Sequence, residues 1–529
     1  MSFKAIIAVF SIFAMGLIIF FKLNEVPLLS INQEVETKFL IVDNDVFYTS
    51  NKTGKYQLFK YSGSGSNIVV SGTESVINPF LYSSMVTGLT DNNGDENFVA
   101  TNENLNRKLN GKNVKSIFSF GKGALIVYHP SGSDKVYALD TTNDRTSLLL
   151  DHVQKLHDVS YSVELHSFIA NHDTKLSYID IRNEYRIVPI DSSSTGEKMN
   201  PFIYKDDVYY SNNSTAEFFQ IFKVSLAAKS YSKKLVLASQ HDVRLPKFDG
   251  RRLFYVEVVR NEYLLKMVDL KTGLKRPITE RGVVFNYHFG RDSTLFISFS
   301  DSSTPKCILK YNLKFGSTIN ITRNIPEAKF TFQFINDSNR STGYIINPNG
   351  VNGIIMFFHP GSDFSPRWDP MLMNLCNNGY VIIAPNYPGS SGFGKTYANL
   401  NEQETIKDIQ KWKAFILKNY SDKKLYYLAY SSGNPLMEKT LLNDSNGING
   451  AISLFGIPNN ILRVQVPSLY ILGRNDFRIN FKHRINHLKG SDPYRNLSIL
   501  DYENEGHMFR QTVNQDHAVK QMVYFLRRN

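Results

Sequence analysis

Cysteine and tryptophan are scarce in this sequence, with two residues of each among 529. Cys307 and Cys376 are far apart in the chain, and no group of cysteine, histidine and carboxylate residues has the spacing of a metal site. This excludes a disulfide framework, and we expect neither a bound metal nor another cofactor.

The sequence also lacks a block of basic residues. Lys and Arg number 60 against 48 Asp and Glu, which gives a net charge of +12, but they are scattered along the chain. Because nucleic-acid binding needs a basic patch or stripe, we predict no nucleic-acid partner and attribute the charge to solubility or to mild attraction to an anionic membrane surface. Hydrophobic residues make up 42% and aromatic residues 13%, which allows a large core and argues against global disorder.

A long apolar run stands at the N-terminus. Residues 5–21, AIIAVFSIFAMGLIIFF, are uncharged and lie between Lys4 and Lys22, and their length is at the short end of what spans a bilayer. The run is longer than a usual signal-peptide core, and no clear small-residue cleavage site follows it. We expect residues 1–22 to form an uncleaved, single-pass signal anchor, with the bulk of the chain on the extracytoplasmic side. A cleaved signal peptide that leads to secretion and a buried helix are the alternatives.

Residues 35–325 have the pattern of short strands separated by turns. Runs rich in β-formers alternate with Gly, Asn, Asp and Ser, and helical periodicity is scarce. A unit of polar turn, aromatic strand, turn and second strand recurs every 41 to 43 residues or so, and NPFLY at Asn78 returns as NPFIY at Asn200. The recurrence predicts equivalent turns at four aspartates: Asp43, Asp206, Asp249 and Asp292.

A period of this length with paired strands is typical of the blades of a β-propeller. About seven blades fit residues 35–325, although six or eight also fit. A pair of β-sandwiches with chance similarity between the runs is the alternative.

Residues 326–529 change to strands that alternate with helices. The runs GIIMFF, YVIIAP, KLYYLAY, GAISLF and PSLYILG are continuously apolar, as are strands buried on both faces of a sheet. The segment NEQETIKDIQKWKAFILKNY between them has helical spacing. This alternation predicts an α/β domain with a mostly parallel sheet, whose active site lies beyond the carboxyl ends of the strands.

Three residues at predicted strand ends have the types and the order of a catalytic triad. In YLAYSSGN, small residues flank Ser431 at the second position on each side, as a nucleophile elbow requires, and Ser432 fits the turn less well. Asp476 follows PSLYILG, and His507 follows LSILDY. Taken alone, Asp476 is typical of a turn and His507 is typical of a surface loop. Taken together, the three residues have the order serine, acid, histidine along the chain, which is that of α/β-hydrolases.

The residue types define the roles we expect. Ser431 needs His507 as a general base, and Asp476 would hold the imidazole in the required tautomer. A tetrahedral oxyanion needs donors, which we expect from the backbone N–H of Ser432 and from the loop around His359.

The segments FFHPGSDFSPRWDP, NGYVIIAPNYPGSSGFG, YLAYSSGN, LYILGRND and NEGHMF resemble the motifs of the prolyl oligopeptidase family of serine peptidases. The resemblance implies a triad of Ser431, Asp476 and His507 behind an N-terminal propeller. The sequence departs from the family's motifs at four positions. Pro360, Ala429 and Asn434 stand where the family has glycine, and Pro388 stands where it has arginine. The spacing from serine to aspartate is also shorter than in the family.

We therefore predict a serine hydrolase that cleaves short peptides through an acyl-enzyme, with domains at 1–22 (anchor), 35–325 (propeller) and 326–529 (α/β-hydrolase). Its partners would be a peptide or acyl substrate and, through the N-terminal helix, a membrane. Self-association into a homo-oligomer is left open. An esterase or acyltransferase with the same triad is one alternative, and a propeller-based binding protein with a decayed hydrolase domain is another.

Overall fold

The structure is a computed structural model of the chain. It describes residues 35–529 apart from 43–44, 64, 71–74, 83–84, 92–97, 101–113, 121–122, 129–133, 141–144, 154–155, 163–164, 166, 173, 181–182, 184–185, 194–195, 229, 324–329, 338–339, 457–465 and 477–495. The expected anchor at residues 1–22 lies outside the described residues. Among the helices that are described, none combines the length and the apolar character needed to cross a membrane.

The described strands up to residue 320 form five hydrogen-bonded sheets. Two of these, over residues 75–153 and 243–320, each join two consecutive antiparallel groups through a single residue pair, so the strands fall into seven groups along the chain. In chain order the groups are β1 (Val35–Val42), β2 (Asp45–Ser50), β3 (Gln57–Tyr61) and β4 (Ser66–Val70); β5 (Ser75–Tyr82), β6 (Met85–Asp91) and β7 (Phe98–Ala100); β8 (Val114–Phe120), β9 (Gly123–Tyr128), β10 (Asp134–Asp140) and β11 (Arg145–Val153); β12 (Leu156–Ser162), β13 (Ser167–His172), β14 (Lys175–Asp180) and β15 (Arg186–Asp191); β16 (Lys198–Tyr204), β17 (Asp207–Asn212), β18 (Gln220–Ser225) and β19 (Lys234–Leu237); β20 (Val243–Phe248), β21 (Arg252–Val259), β22 (Glu262–Asp269) and β23 (Lys275–Pro277); β24 (Val283–Phe289), β25 (Thr294–Asp301), β26 (Thr304–Asn312) and β27 (Thr318–Asn320).

The groups close into a ring. Strand β1 lies against β24, β25 and β26, so the first group meets the last. Within the described residues this junction is made by side chains, without a shared strand ladder. We call it the ring seam, and its buried members include Val35, Phe39, Tyr48, Phe296 and Ile308. The architecture is a β-propeller, as the repeat predicts.

The first strand of several groups carries a bulge at a corresponding place. The register shifts between Ile77 and Phe80 in β5 and between Met199 and Phe202 in β16, which accounts for the recurrence of the NPF sequence. At the bulge in β16, Asn200 has a φ of 53°. Its backbone N–H donates to Asp158 of the preceding group at 2.9 Å, so the bulge turns a backbone donor toward the neighbouring blade.

Three of the four predicted turns lie in the described residues, and these three occupy equivalent places. Asp206, Asp249 and Asp292 each lie between the first and second strands of their groups. Asp43 falls outside the described residues, between the ends of β1 and β2. The repeat read from the sequence is therefore confirmed at the three positions that the structure describes.

The rest of the chain forms an α/β domain around an eight-stranded sheet. Its strands are β28 (Thr331–Asp337), β29 (Arg340–Asn347), β30 (Gly353–Phe358), β31 (Tyr380–Pro385), β32 (Leu425–Tyr430), β33 (Ile448–Leu454), β34 (Ser468–Gly473) and β35 (Leu497–Tyr502). Its described helices are α1 (Pro370–Asn377), α2 (Lys395–Ala398), α3 (Glu402–Asn419), α4 (Asn434–Asn443) and α5 (Thr512–Arg528).

The sheet has the order β28-β29-β31-β30-β32-β33-β34-β35. The pairs β28–β29 and β29–β31 are antiparallel, and the other five pairs are parallel. Helices α1 and α5 pack on one face, and α3 and α4 pack on the other. The predicted domain boundary at 325 lies between β27 and β28, in a stretch outside the described residues.

Candidate active site

Ser431 lies at a sharp turn between β32 and α4. The strand ends at Tyr430, a single 3₁₀ turn covers Ser431–Gly433, and α4 begins at Asn434. The φ of Ser431 is 49°, in the left-handed region that a serine seldom adopts and that costs about 1–3 kcal/mol. A strained serine at the carboxyl end of a central strand is the geometry of a nucleophile elbow.

Close packing of the elbow on β30 explains the small residues around the serine. A methyl group on Gly433 would lie 2.3 Å from the carbonyl oxygen of Phe358, the last residue of β30. Ala429 pairs with Phe358 on one side and with Ser453 on the other, and it is fully buried. The glycine is therefore required by the contact with β30, whereas the pairing of Ala429 leaves room for a methyl group.

The structure brings the three predicted triad residues into one line of hydrogen bonds. Ser431 Oγ lies 2.6 Å from His507 Nε2, and His507 Nδ1 lies 2.7 Å from Asp476 Oδ2. His507 and Asp476 are 6% and 3% exposed, so little water competes for the second bond. In the tautomer with a proton on Nδ1, His507 donates to Asp476 and its Nε2 accepts from the serine hydroxyl.

The loop that carries His507 is held by a residue that the sequence analysis did not single out as functional. Glu505 is completely buried, and its carboxylate accepts hydrogen bonds from the backbone N–H groups of Arg510 and Gln511 and from the side chain of Asn514. Burial raises the pKa of Glu505. The carboxylate thus ties the His507 loop to the start of α5.

A close backbone contact brings the Asp476 loop beside the His507 loop. A methyl group on Gly473 would lie 2.1 Å from the carbonyl oxygen of Gly506. The backbone N–H of Asn475 donates to the carbonyl oxygen of Glu505 at 3.1 Å. Only a glycine at 473 allows the two loops to approach this closely.

His359 is buried behind the loop that follows β30. Its ring stacks on Tyr387 with centroids 4.4 Å apart, and its Nε2 lies 3.2 Å from Ser390 Oγ. Burial penalises the imidazolium and lowers the pKa of His359 to about 4. These contacts give the His359 side chain a role in supporting the loop.

The loop backbone reaches the elbow through Gly361. Pro360 has no N–H, and the N–H of Gly361 donates to Ser432 Oγ at 2.9 Å. The side chain of Ser432 therefore contacts the loop after β30. The sequence did not predict this contact.

Asp363 connects the same loop to the propeller. Its carboxylate accepts from Asn261 Nδ2 and from the Tyr263 hydroxyl, both at 3.1 Å, and from Ser365 and Ser391 within its own domain. Hydrogen bonds to the carboxylate, led by that of Asn261, lower the pKa of Asp363 against the opposing effect of burial. The Pro360–Ser362 backbone is therefore fixed partly from across the domain interface.

A cavity of about 210 Å³ lies between the two domains near the triad. Asn51 and Lys306 line it from the propeller, and Tyr430 and Met508, the chain neighbours of Ser431 and His507, line it from the α/β domain. The buried ring of Trp368 forms part of its wall. The cavity gives a small molecule a place next to the chain neighbours of Ser431 and His507.

No protein-family model and no curated protein sequence matches this chain. Solved structures do match over almost its whole length. A puromycin-hydrolyzing peptidase of Mycobacterium tuberculosis is 13% identical with a TM-score of 0.75, over 95% of either chain. A prolyl endopeptidase is 11% identical with a TM-score of 0.77, over 94% of this chain and 90% of the other. The acylaminoacyl peptidase of Pyrococcus horikoshii is 13% identical with a TM-score of 0.67, over 94% of this chain and 95% of the other.

The fold is that of the prolyl oligopeptidase family. The resemblance read from the sequence motifs is therefore confirmed for the architecture, a propeller in front of an α/β-hydrolase domain. Within this prolyl oligopeptidase fold, Ser431, Asp476 and His507 come together, Ser432 faces the loop after β30, and the His359 side chain packs behind that loop.

Proposed function

We propose that this protein is a serine hydrolase of the prolyl oligopeptidase type that cleaves short peptides. The observation that carries the proposal is the continuous hydrogen-bonded line from Ser431 through His507 to Asp476. The left-handed φ of Ser431 adds support, because such strain persists where the surrounding structure enforces it and is common at active sites. The likeness to solved peptidases supports the same conclusion at the level of the fold.

The chemistry follows from the positions of the three side chains. Ser431 Oγ attacks the carbonyl carbon of the scissile bond while its proton passes to His507 Nε2. Asp476 accepts from Nδ1 and stabilises the imidazolium that forms. The tetrahedral intermediate expels the amine, which takes the proton from His507, and leaves an acyl group on Ser431. Water then attacks the acyl group with His507 again as the base, and the acid product leaves.

The two-domain arrangement would restrict the substrate to short chains. We infer a propeller domain at 35–325 and a hydrolase domain at 326–529, with the site enclosed between them. The cavity of about 210 Å³ would admit a few side chains and would exclude a folded protein. We also propose that residues 1–22 anchor the protein in a membrane with the site on the extracytoplasmic side, because their apolar run is close to a bilayer's width.

Labelling with a fluorophosphonate probe tests the proposal. We expect the wild-type chain to take up one probe molecule, and Ser431→Ala to take up none. His507→Ala should label several orders of magnitude more slowly, because it removes the base. Ser445→Ala, a serine in the loop after α4, is the matched control and should label like the wild type.

Substrate assays separate the proposed activity from its alternatives. Hydrolysis of a peptidyl-coumarin amide supports the peptidase. Turnover of a p-nitrophenyl ester without any amide hydrolysis would indicate an esterase or acyltransferase on the same triad. A folded wild-type chain that neither labels nor hydrolyses either substrate would favour a binding protein with a decayed hydrolase domain.

A further inference from the structure

The loop after β30 offers an unusual set of donors to a tetrahedral intermediate. In α/β-hydrolases one donor is the N–H of the residue after the nucleophile, and the second is an N–H from this loop. Here Pro360 provides no N–H. The N–H of Gly361 is directed at Ser432 Oγ, at 2.9 Å, and so is already engaged by a side chain.

The hydroxyl of Ser432 is left with a proton to donate. A serine hydroxyl has one hydrogen and two acceptor lone pairs, and the N–H of Gly361 uses a lone pair. Ser432 directly follows Ser431 and is exposed, and its Oγ lies at the loop from which α/β-hydrolases take their second donor. Accepting a hydrogen bond from Gly361 also polarises the hydroxyl and makes it a better donor.

We propose that the side-chain hydroxyl of Ser432 is a catalytic residue that donates the second hydrogen bond to the oxyanion, in place of a backbone N–H of the loop. This inference rests on the proposed function, because it requires an oxyanion on the substrate at Ser431. The backbone N–H of Ser432 supplies the first donor, so a single residue presents both. The hydrogen bonds form and break without net proton transfer, and the nucleophilic step is otherwise unchanged.

The surroundings hold this hydroxyl in position. Asp363, two residues after Gly361, is fixed by Asn261 and Tyr263 of the propeller and by serines of its own domain. The N–H of Gly361 is directed at Ser432 Oγ and so ties the hydroxyl to this fixed loop. A donor fixed in advance stabilises the transition state without reorganisation.

Steady-state kinetics on full-length wild type, Ser432→Ala and Ser432→Thr test the proposal with a short-chain p-nitrophenyl ester and a peptidyl-coumarin amide. We expect Ser432→Ala to lower kcat about 100-fold or more with little change in KM, since oxyanion donors act in the transition state. Ser432→Thr keeps a hydroxyl and should recover most of the lost kcat. The thermal midpoint should stay close to that of the wild type in both variants.

Other outcomes would overturn the inference. If Ser432→Ala is as fast as wild type, or faster, the hydroxyl merely covers the N–H of Gly361, which then serves as the donor once it is uncovered. If Ser432→Ala and Ser432→Thr fall equally, or if KM rises while kcat is unchanged, the side chain has a packing or binding role. A wild-type chain that does not label at Ser431 defeats the proposed function itself, and the labelling assay distinguishes that failure from the loss of this inference alone.

Discussion

At the scale of single residues, Ser431 and His359 near the elbow are held in states that they would not adopt in an unfolded chain. Ser431 has a left-handed backbone, and His359 is kept neutral by burial. Both conditions depend on neighbours, β30 for the serine and Tyr387 with Ser390 for the histidine. Each therefore links the site to the stability of the α/β domain.

His359 makes that domain sensitive to acid. Its pKa is about 4 in the folded chain against 6.5 in a model peptide, so between these values the unfolded chain binds a proton that the folded chain does not. Stability then rises with pH across this window and falls as pH drops from 6.5 to 4. We expect His359 to account for up to about 3 kcal/mol of the loss at pH 4.

Urea unfolding of wild type and His359→Phe between pH 7 and pH 4 checks this prediction. Both tryptophans of the chain, Trp368 and Trp412, are buried in the α/β domain, so their fluorescence reports its unfolding. The variant should lose less stability with acid than the wild type. Parallel curves for the two proteins would show that His359 does not carry the effect.

At the scale of elements, the site consists of loops that follow three strands of one sheet. Ser431 follows β32, Asp476 follows β34 and His507 follows β35. The sheet brings these strand ends to one edge, but the distances between the side chains depend on how the loops pack on one another. Gly473 is the point of closest packing, because a methyl group there would lie 2.1 Å from the Gly506 carbonyl oxygen.

Gly473→Ala should therefore separate Asp476 from His507. We expect kcat to fall at least 10-fold, because the imidazole loses its orienting partner, and the thermal midpoint to fall as the two loops move apart. Gly350→Ala is the matched control, since no heavy atom lies within 4 Å of the added methyl group. Equal activity of the two variants would contradict the role given to Gly473.

The same elements show what the sequence could and could not predict. The strand ends at Ser431, Asp476 and His507 are visible as apolar runs that stop at a polar residue, and the repeat in the propeller is visible as a period. The buried carboxylate of Glu505, the glycine contact at Gly473 and the hydrogen bond from Gly361 to Ser432 are relations between loops that are distant in sequence. No local pattern encodes them, so only the packed structure reveals them.

At the scale of the whole molecule, separate propeller groups contact separate loops of the α/β domain. Gly54 of the first group accepts from Thr512 at the start of α5, and Glu217 of the fifth accepts from Thr396 in α2. Tyr263 of the sixth donates to Asp363. The propeller therefore holds both the His507 side and the Ser432 side of the candidate site.

Loss of one such contact should lower activity. Tyr263→Phe removes a hydroxyl from the Asp363 carboxylate but leaves the ring in place. We expect kcat/KM to fall about three- to tenfold, because a hydrogen bond to a charged group is worth about 1.5–3 kcal/mol and other donors to Asp363 remain.

The control for this prediction is Tyr61→Phe. It also removes a tyrosine hydroxyl, one that donates to the carbonyl oxygen of Gly63 within the first group. Its kcat/KM should match that of the wild type. If the two variants are equally active, the contact between Tyr263 and Asp363 does not position the site.

The ring seam has a consequence for the order in which the molecule folds. Each propeller group joins strands that are neighbours in the sequence, so it can form from local contacts, whereas the ring seam joins residues from opposite ends of the propeller. Closing a loop of this length costs only about 0.6 kcal/mol more for each doubling of its length. The ring seam must nevertheless wait until the intervening groups have formed. Gly54, which supports Thr512, belongs to the first group. The Thr512 end of the His507 loop gains its contact with Gly54 only when the first group has docked, so we expect full activity no earlier than that step.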